Sequence, residues 1–93
     1  MITIVAKSII KEGKKEEFLA LAMELVGESR KEEGCIEYSL YQDIRNENIV
    51  SVIEKWKDQE SIDIHNNSEH FTTIVPQLGK LRESSEVTLY KKI

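Results

Sequence analysis

Four stretches of this chain carry a period-two pattern, and only two segments between them recur at helical spacing. Residues 2–10, ITIVAKSII, set Ile2, Ile4, Ala6, Ser8 and Ile10 on one face and Thr3, Val5, Lys7 and Ile9 on the other, in a run rich in β-branched residues. Residues 35–43, CIEYSLYQD, alternate Ile36, Tyr38 and Leu40 against Cys35, Glu37, Ser39 and Tyr41. The polar IRNEN makes a hairpin turn into residues 49–57, IVSVIEKWK, and residues 86–93, EVTLYKKI, form the fourth run. After Gly13, the residues Phe18, Leu21, Ala22, Leu25 and Val26 predict a helix over 14–32, with Gly34 as its stop signal. The segment from Asp58 is helical with two interruptions. Asp58 can cap a short first helix, Asn66 and Asn67 suit a break, and Ser68 can cap a second helix carrying Phe71, Ile74 and Val75. Pro76 lacks an N–H and is expected to kink or end that helix.

The order βαββαβ over residues 1–93 predicts one α+β domain of ferredoxin-like architecture, a four-stranded antiparallel sheet with both helices on one face. Two helices leave the other face bare, yet Val5, Ile9, Tyr41 and Ile53 are distributed so that every strand is apolar on both sides. An isolated copy would expose them as a large patch. A chain this short removes only about two-thirds of its surface from water on folding, so a face-to-face homodimer is the economical way to enlarge its core.

Charge and motifs exclude several classes of partner. The 13 Lys and Arg are spread along a chain of net charge -4, with no basic stripe to neutralise phosphates, so nucleic acid is not expected as a partner. No run approaches the roughly 20 apolar residues of a membrane helix, and MITIVAKSII reads as a strand rather than a leader, which makes the cytoplasm the expected location. Cys35 is alone and reads as a small apolar side chain rather than a nucleophile. With no glycine-rich phosphate loop, Cys-x-x-Cys or His-Glu-x-x-His, neither a nucleotide nor a metal site is expected.

Residues 54–71, EKWKDQESIDIHNNSEHF, concentrate the only Trp, both His and several carboxylates. Glu54 and Trp56 leave the same strand face as Val50 and Val52. An acid there is desolvated, which raises its pKa unless a cation or donor compensates it. His65, on the helix crossing this face, is the expected partner. A carboxylate behind an imidazole fixes its tautomer and raises its basicity, as removal of a phenolic or enolic proton requires. Tyr38, Trp56 and Phe71 can wall an aromatic slot for a flat substrate. Each residue also has a plain structural explanation: Trp56 as core packing, Glu54 as acceptor for a helix end, His70 as an exposed residue in a first turn. A two-His metal site is disfavoured, because positions 65 and 70 lie about 140° apart round a helix with a break between them.

The stretches EEGCIEYSLYQD and VIEKWKDQESIDIHNNSEHF resemble the antibiotic biosynthesis monooxygenase family. The family's Gly-Cys-x-x-Tyr element appears as Gly34, Cys35 and Tyr38, and its Glu-x-Trp element as Glu54 and Trp56. Its His followed by Ser/Thr-x-His-Phe appears as His65, Ser68, His70 and Phe71. The resemblance implies a dimeric α+β barrel. From the family's cofactor-free quinol monooxygenases it implies oxidation of a small quinol or hydroxyarene without flavin or metal, with His65 and Glu54 catalytic and Trp56, Tyr38, His70 and Phe71 binding the substrate. Other members imply two alternatives, an isomerase of a small carbonyl signal compound using the same base, or a ligand-binding dimer that does not turn over. The haem-degrading members resemble one another in an Asn on the first strand and a Trp and His further along the second helix. This chain has none of these, and haem degradation is not expected.

Overall fold

In the computed structural model, which describes residues Met1–Ile93, strand β1 (Ile2–Ile10) is central. It pairs with β3 (Ile49–Trp56) on one side and β4 (Arg82–Lys91) on the other, and β2 (Cys35–Gln42) pairs with β3. All three ladders are antiparallel, in the order β2-β3-β1-β4. Helices α1 (Lys15–Ser29), α2 (Gln59–Asn66) and α3 (Glu69–Leu81) complete a ferredoxin-like α+β fold whose second helical unit is split in two. No helix is long and apolar enough to cross a membrane.

Gly13, at φ +79°, makes the left-handed turn from β1 into α1. Helix α1 ends at Ser29, short of the expected residue 32, and Gly34 is not its left-handed stop, because Gly13 alone has positive φ. The chain leaves α1 through successive turns, Lys31 N–H to the Glu28 carbonyl at 3.2 Å and Glu32 N–H to the Ser29 carbonyl at 3.1 Å. Gly34 is required instead by close approach: a Cβ there would overlap the Cβ and Oγ of Ser61 in the first turn of α2. The Gly34 carbonyl accepts the Lys57 N–H at 2.9 Å, which pins the α1–β2 loop against the start of α2.

The two caps behave as their side chains dictate. Asp58 accepts the Ser61 N–H at 2.9 Å, and Ser68 accepts the Phe71 N–H at 3.2 Å. Pro76 does not end α3, which runs on to Leu81. The proline is exposed, so water can serve the carbonyl its missing N–H leaves free, while buried Ile74, Leu78 and Leu81 hold the helix on both sides of it. β4 starts at Arg82, four residues before the expected 86, because β1 offers it partners as far as Ile10. In β2 the alternation is broken by a register shift between Cys35 and Glu37. Ile36 is the extra residue, 57% exposed, and Cys35 rather than Ile36 packs on the core beside Tyr38.

The helices cover the sheet face carrying Ile4, Val50, Trp56 and Tyr38, which pack with Phe18, Ala22, Leu25 and Val26 of α1 and Ile62, Ile74 and Leu78 of the second unit. On the opposite face Val5, Ile9 and Ile53 are half-buried by their sheet neighbours alone, and Tyr41 and Tyr90 are exposed.

Because Gly34 and Ser61 touch, their substitutions are coupled. Gly34→Ala is expected to cost about 1–3 kcal/mol through overpacking. Ser61→Gly removes the atoms it strikes, so urea unfolding of the double variant should show a loss clearly smaller than the sum of the single losses. Additive losses would show that the contact does not constrain the loop.

Candidate functional site

Period two places Glu54 and Trp56 under the helices, and the β2 register sets Tyr38 directly opposite Glu54. Trp56 is wholly buried, and its Nε1–H donates to Glu54 Oε1 at 2.9 Å. Glu54 is only 5% exposed. Burial pushes its pKa up to about 7, against the pull of the indole donor and with a small push from the Glu32 charge. Burial also drives the Tyr38 phenol well above its ordinary range, and the Glu54 charge adds to the effect.

His65 occupies the last turn of α2 at 1% exposure. Its ring lies 4.5 Å from that of Trp56, 5.1 Å from Phe71 and 5.6 Å from Tyr38, centroid to centroid. The carboxylate behind it is Glu32, not Glu54. His65 Nδ1 is 2.6 Å from Glu32 Oε2, and His70 Nε2 is 2.8 Å from the same oxygen. Glu54 and His65 line one cavity as expected, but no direct hydrogen bond joins them: Glu54 accepts from Trp56, and His65 pairs with Glu32. Two local features cause this. The Gly34–Ser61 contact carries Glu32 to the end of α2, and the break after Asn66 turns the chain so that His70, at the start of α3, lies 5.8 Å from the His65 ring. The divergence expected of residues 65 and 70 on one continuous helix therefore does not occur.

With Nδ1 on a carboxylate, the other ring nitrogen, Nε2, is buried and has no partner. Burial lowers the His65 pKa, and Glu32 opposes that shift by hydrogen bond and charge. The ring is therefore neutral near pH 7, donating Nδ1–H to Glu32 and keeping the Nε2 lone pair free.

A cavity of about 310 Å³ lies between sheet and helices, lined by Ile4, Ala6, Tyr38, Leu40, Val50, Val52, Phe71 and Val75, with Glu54, His65, Gln59, Asn66, Ser8 and Arg82 as its principal polar groups. It reaches β4, where Val87 and Leu89 line it while 60% and 50% exposed, which makes that strand its mouth. Of the residues expected to touch a substrate, Tyr38 and Phe71 line this space. Trp56 stands behind Glu54 and His65 as core, and His70 faces an outer groove with Glu24, Glu28 and Thr73. Glu32 carries no distinguishing mark in the sequence beyond its place two residues before Gly34, among the charges that follow α1.

Glu32, His65 and His70 offer donor atoms within 4.8 Å of one another, a set chemically suited to a divalent transition-metal ion. Both imidazole nitrogens aim at Oε2 itself at hydrogen-bond distance, so the carboxylate oxygen takes the focal position and the trio is organised as a hydrogen-bonded network.

Glu54 gives a stability signature. Its pKa is higher in the fold than the ordinary 4.5, so its contribution is complete below that value and is lost as pH rises through about 7. Glu54→Gln retains an acceptor for Trp56 and cannot ionise. Relative to this variant the wild type should lose about 3 kcal/mol between pH 4 and 8, measured by denaturant unfolding, with the titration of His65 cancelling in the comparison. Parallel pH profiles would mean that Glu54 does not ionise in a buried site.

Residues 1–77 match the antibiotic biosynthesis monooxygenase family. The chain is 41% identical to YcnE of Bacillus subtilis (strain 168) over 75 residues, 81% of this chain and 79% of that protein. It superposes on a conserved protein from Methanosarcina mazei Go1 with a TM-score of 0.97 at 41% identity, covering 99% of this chain and 92% of that one. A crystal structure of an antibiotic biosynthesis monooxygenase gives 0.95 at 32% identity, covering 100% and 99%. On the extent of these matches, over sequence and fold alike, the chain belongs to the antibiotic biosynthesis monooxygenase family.

Proposed function

We propose that the protein oxidises a small quinol or related hydroxyarene with dioxygen, without a cofactor, using His65 as general base. The observation that carries this is the buried, unpartnered Nε2 of His65, on a ring that lines an apolar, aromatic-walled cavity while its Nδ1 is fixed by Glu32. The substrate hydroxyl gives its proton to Nε2, and Glu32 stabilises the imidazolium that forms. The phenolate passes one electron to dioxygen, and the semiquinone and superoxide combine by forming a carbon–oxygen bond. The hydroperoxide then loses water. One oxygen atom remains on the ring and the other leaves as water, so quinol plus dioxygen gives hydroxyquinone plus water. Glu54, with a pKa of about 7, holds a proton at the same cavity for the departing oxygen. The apolar lining excludes bulk water from the reactive intermediates.

A specific observation also favours isomerisation of a small carbonyl compound. An unprotonated imidazole and a carboxyl group that keeps its proton near neutrality line one cavity, and enol–keto interconversion needs such a pair. Oxygen uptake by the metal-stripped protein against a panel of quinols, with small carbonyl compounds assayed alongside, separates the two. Uptake without isomerisation supports the monooxygenase reading, and the reverse removes it.

We infer in addition that the uncovered sheet face, with Val5, Ile9, Ile53, Tyr41 and Tyr90, packs against the same face of a second copy. Sedimentation at micromolar concentration should give a dimer, and a stable monomer would overturn this.

On any quinol the wild type oxidises, His65→Ala should lower kcat by roughly 10² to 10⁴ with the circular dichroism spectrum retained. Glu32→Gln should lower it less and move the acid limb of the pH–rate profile. Because burial lowers the His65 pKa, that limb in the wild type should lie below pH 6.5, the ordinary histidine value. Undiminished turnover in His65→Ala would assign the chemistry elsewhere.

A further inference from the structure

The end of the cavity away from His65 holds a cation with no anion. Arg82, at the α3–β4 junction, lines the cavity, and its one hydrogen bond runs from Nη1 to Ser8 Oγ at 3.2 Å. Ser8 is 5% exposed, so this bond draws a corner of the guanidinium in beneath the helices. Every ion pair of the protein lies elsewhere, and no carboxylate reaches Arg82. Burial without a counter-charge disfavours the charged form of this group. A guanidinium in that position still presents N–H donors whose geometry matches a carboxylate.

The spacing along the sheet sets the two ends apart. Glu54 pairs with Ile4 and Val50 pairs with Ser8, four residues further along both strands. That separation is on the order of 13 Å at about 3.3 Å per residue. The wall between them is apolar, formed by Ala6, Val50 and Val52. A bare ring is shorter than that span, whereas a ring carrying an acid on a short chain has about the length it requires.

We propose that the cavity selects a hydroxyarene bearing a carboxylate on a short side chain, with Arg82 pairing the carboxylate and Ser8 holding Arg82. This rests on the reading of the cavity as a ring-binding site next to His65, and it names the substrate class of that site. Arg82 is a specificity-determining residue in this scheme and takes no part in proton transfer.

The test is calorimetric binding under anaerobic conditions of two probes, 3-(2,5-dihydroxyphenyl)propanoate and its uncharged methyl ester. The wild type should bind the acid at least about tenfold more tightly than the ester, the size of a charge-assisted pair in a partly desolvated site. Arg82→Gln should erase the preference and leave ester affinity unchanged. Arg82→Lys should recover part of it, and Ser8→Ala should reduce it. Thermal melts of each variant establish that it is folded. Equal affinity of the wild type for both probes, or a preference that survives in Arg82→Gln, overturns the inference while leaving the ring site intact. Binding of neither probe removes the ring-site reading and this inference with it.

Discussion

The pairing of Cys35 with Trp56 brings the loop after α1 beside the start of α2, and the contact between Gly34 and Ser61 sets how closely the two lie. A glycine allows the loop after α1 to lie directly on the first turn of α2, and the Lys57 N–H fixes its carbonyl there. Only in that position does Glu32, two residues earlier, reach the far end of the same helix. Its single oxygen Oε2 then ties His65 of α2 and His70 of α3 to the α1–β2 loop. Three elements are joined by one carboxylate, and the split between α2 and α3 becomes intelligible. An unbroken helix would carry His70 away from His65; the caps at Asp58 and Ser68 make two short helices stable enough to place both rings on one atom.

Around that anchor the polar groups are partnered in a way that keeps them useful. Trp56 gives Glu54 one donor, which is enough to retain a buried acid but leaves its pKa near 7. Replacing such a group by an apolar one of similar size commonly stabilises a fold, so its presence in a core of only 13 buried apolar residues marks a cost that packing does not explain. His65 is treated the opposite way. Its Nδ1 is satisfied by a full carboxylate while Nε2 is left buried and empty. An unpaired buried nitrogen costs on the order of 1–3 kcal/mol, and a chain under selection for stability alone would supply a donor.

The sequence shows the fold through features that are local. Strand alternation, the two polar caps and the helical spacing of Phe18 to Val26 each depend on neighbours within a few residues, and the architecture follows from their order. Local pattern and structure diverge where tertiary contact decides. Pro76 is tolerated because its side of α3 faces water, and the face a helix turns outward is fixed by packing. Ile36 reads as an inward residue until the register shift turns it out. Of the cavity lining, Tyr38 and Glu54 were legible from strand face, and His65 and Phe71 from residue type on the helices that cross it. Glu32 was not, since its role comes from a backbone approach that a lone glycine allows but does not announce. Arg82 was not legible either, because its place at the cavity depends on β4 starting four residues before its own pattern begins.

In the proposed reading a base at one end of the cavity and a cation at the other do different work, and the distance between them serves that division. Were Arg82 beside His65, its charge would oppose formation of the imidazolium and weaken the base. Held about four strand residues away by Ser8, it can attract an anion into the cavity without taxing proton transfer. Glu32 lies behind the His65 ring on Nδ1, and in the proposed mechanism it faces the imidazolium with the ring between it and the substrate. With Glu32 behind the imidazole and outside the cavity, and with the imidazole, apolar wall and guanidinium along it, the proposed binding and deprotonation draw on separate charges. In a domain with so little interior, the proposed reading fits both tasks beneath the three helices by separating them along the strands.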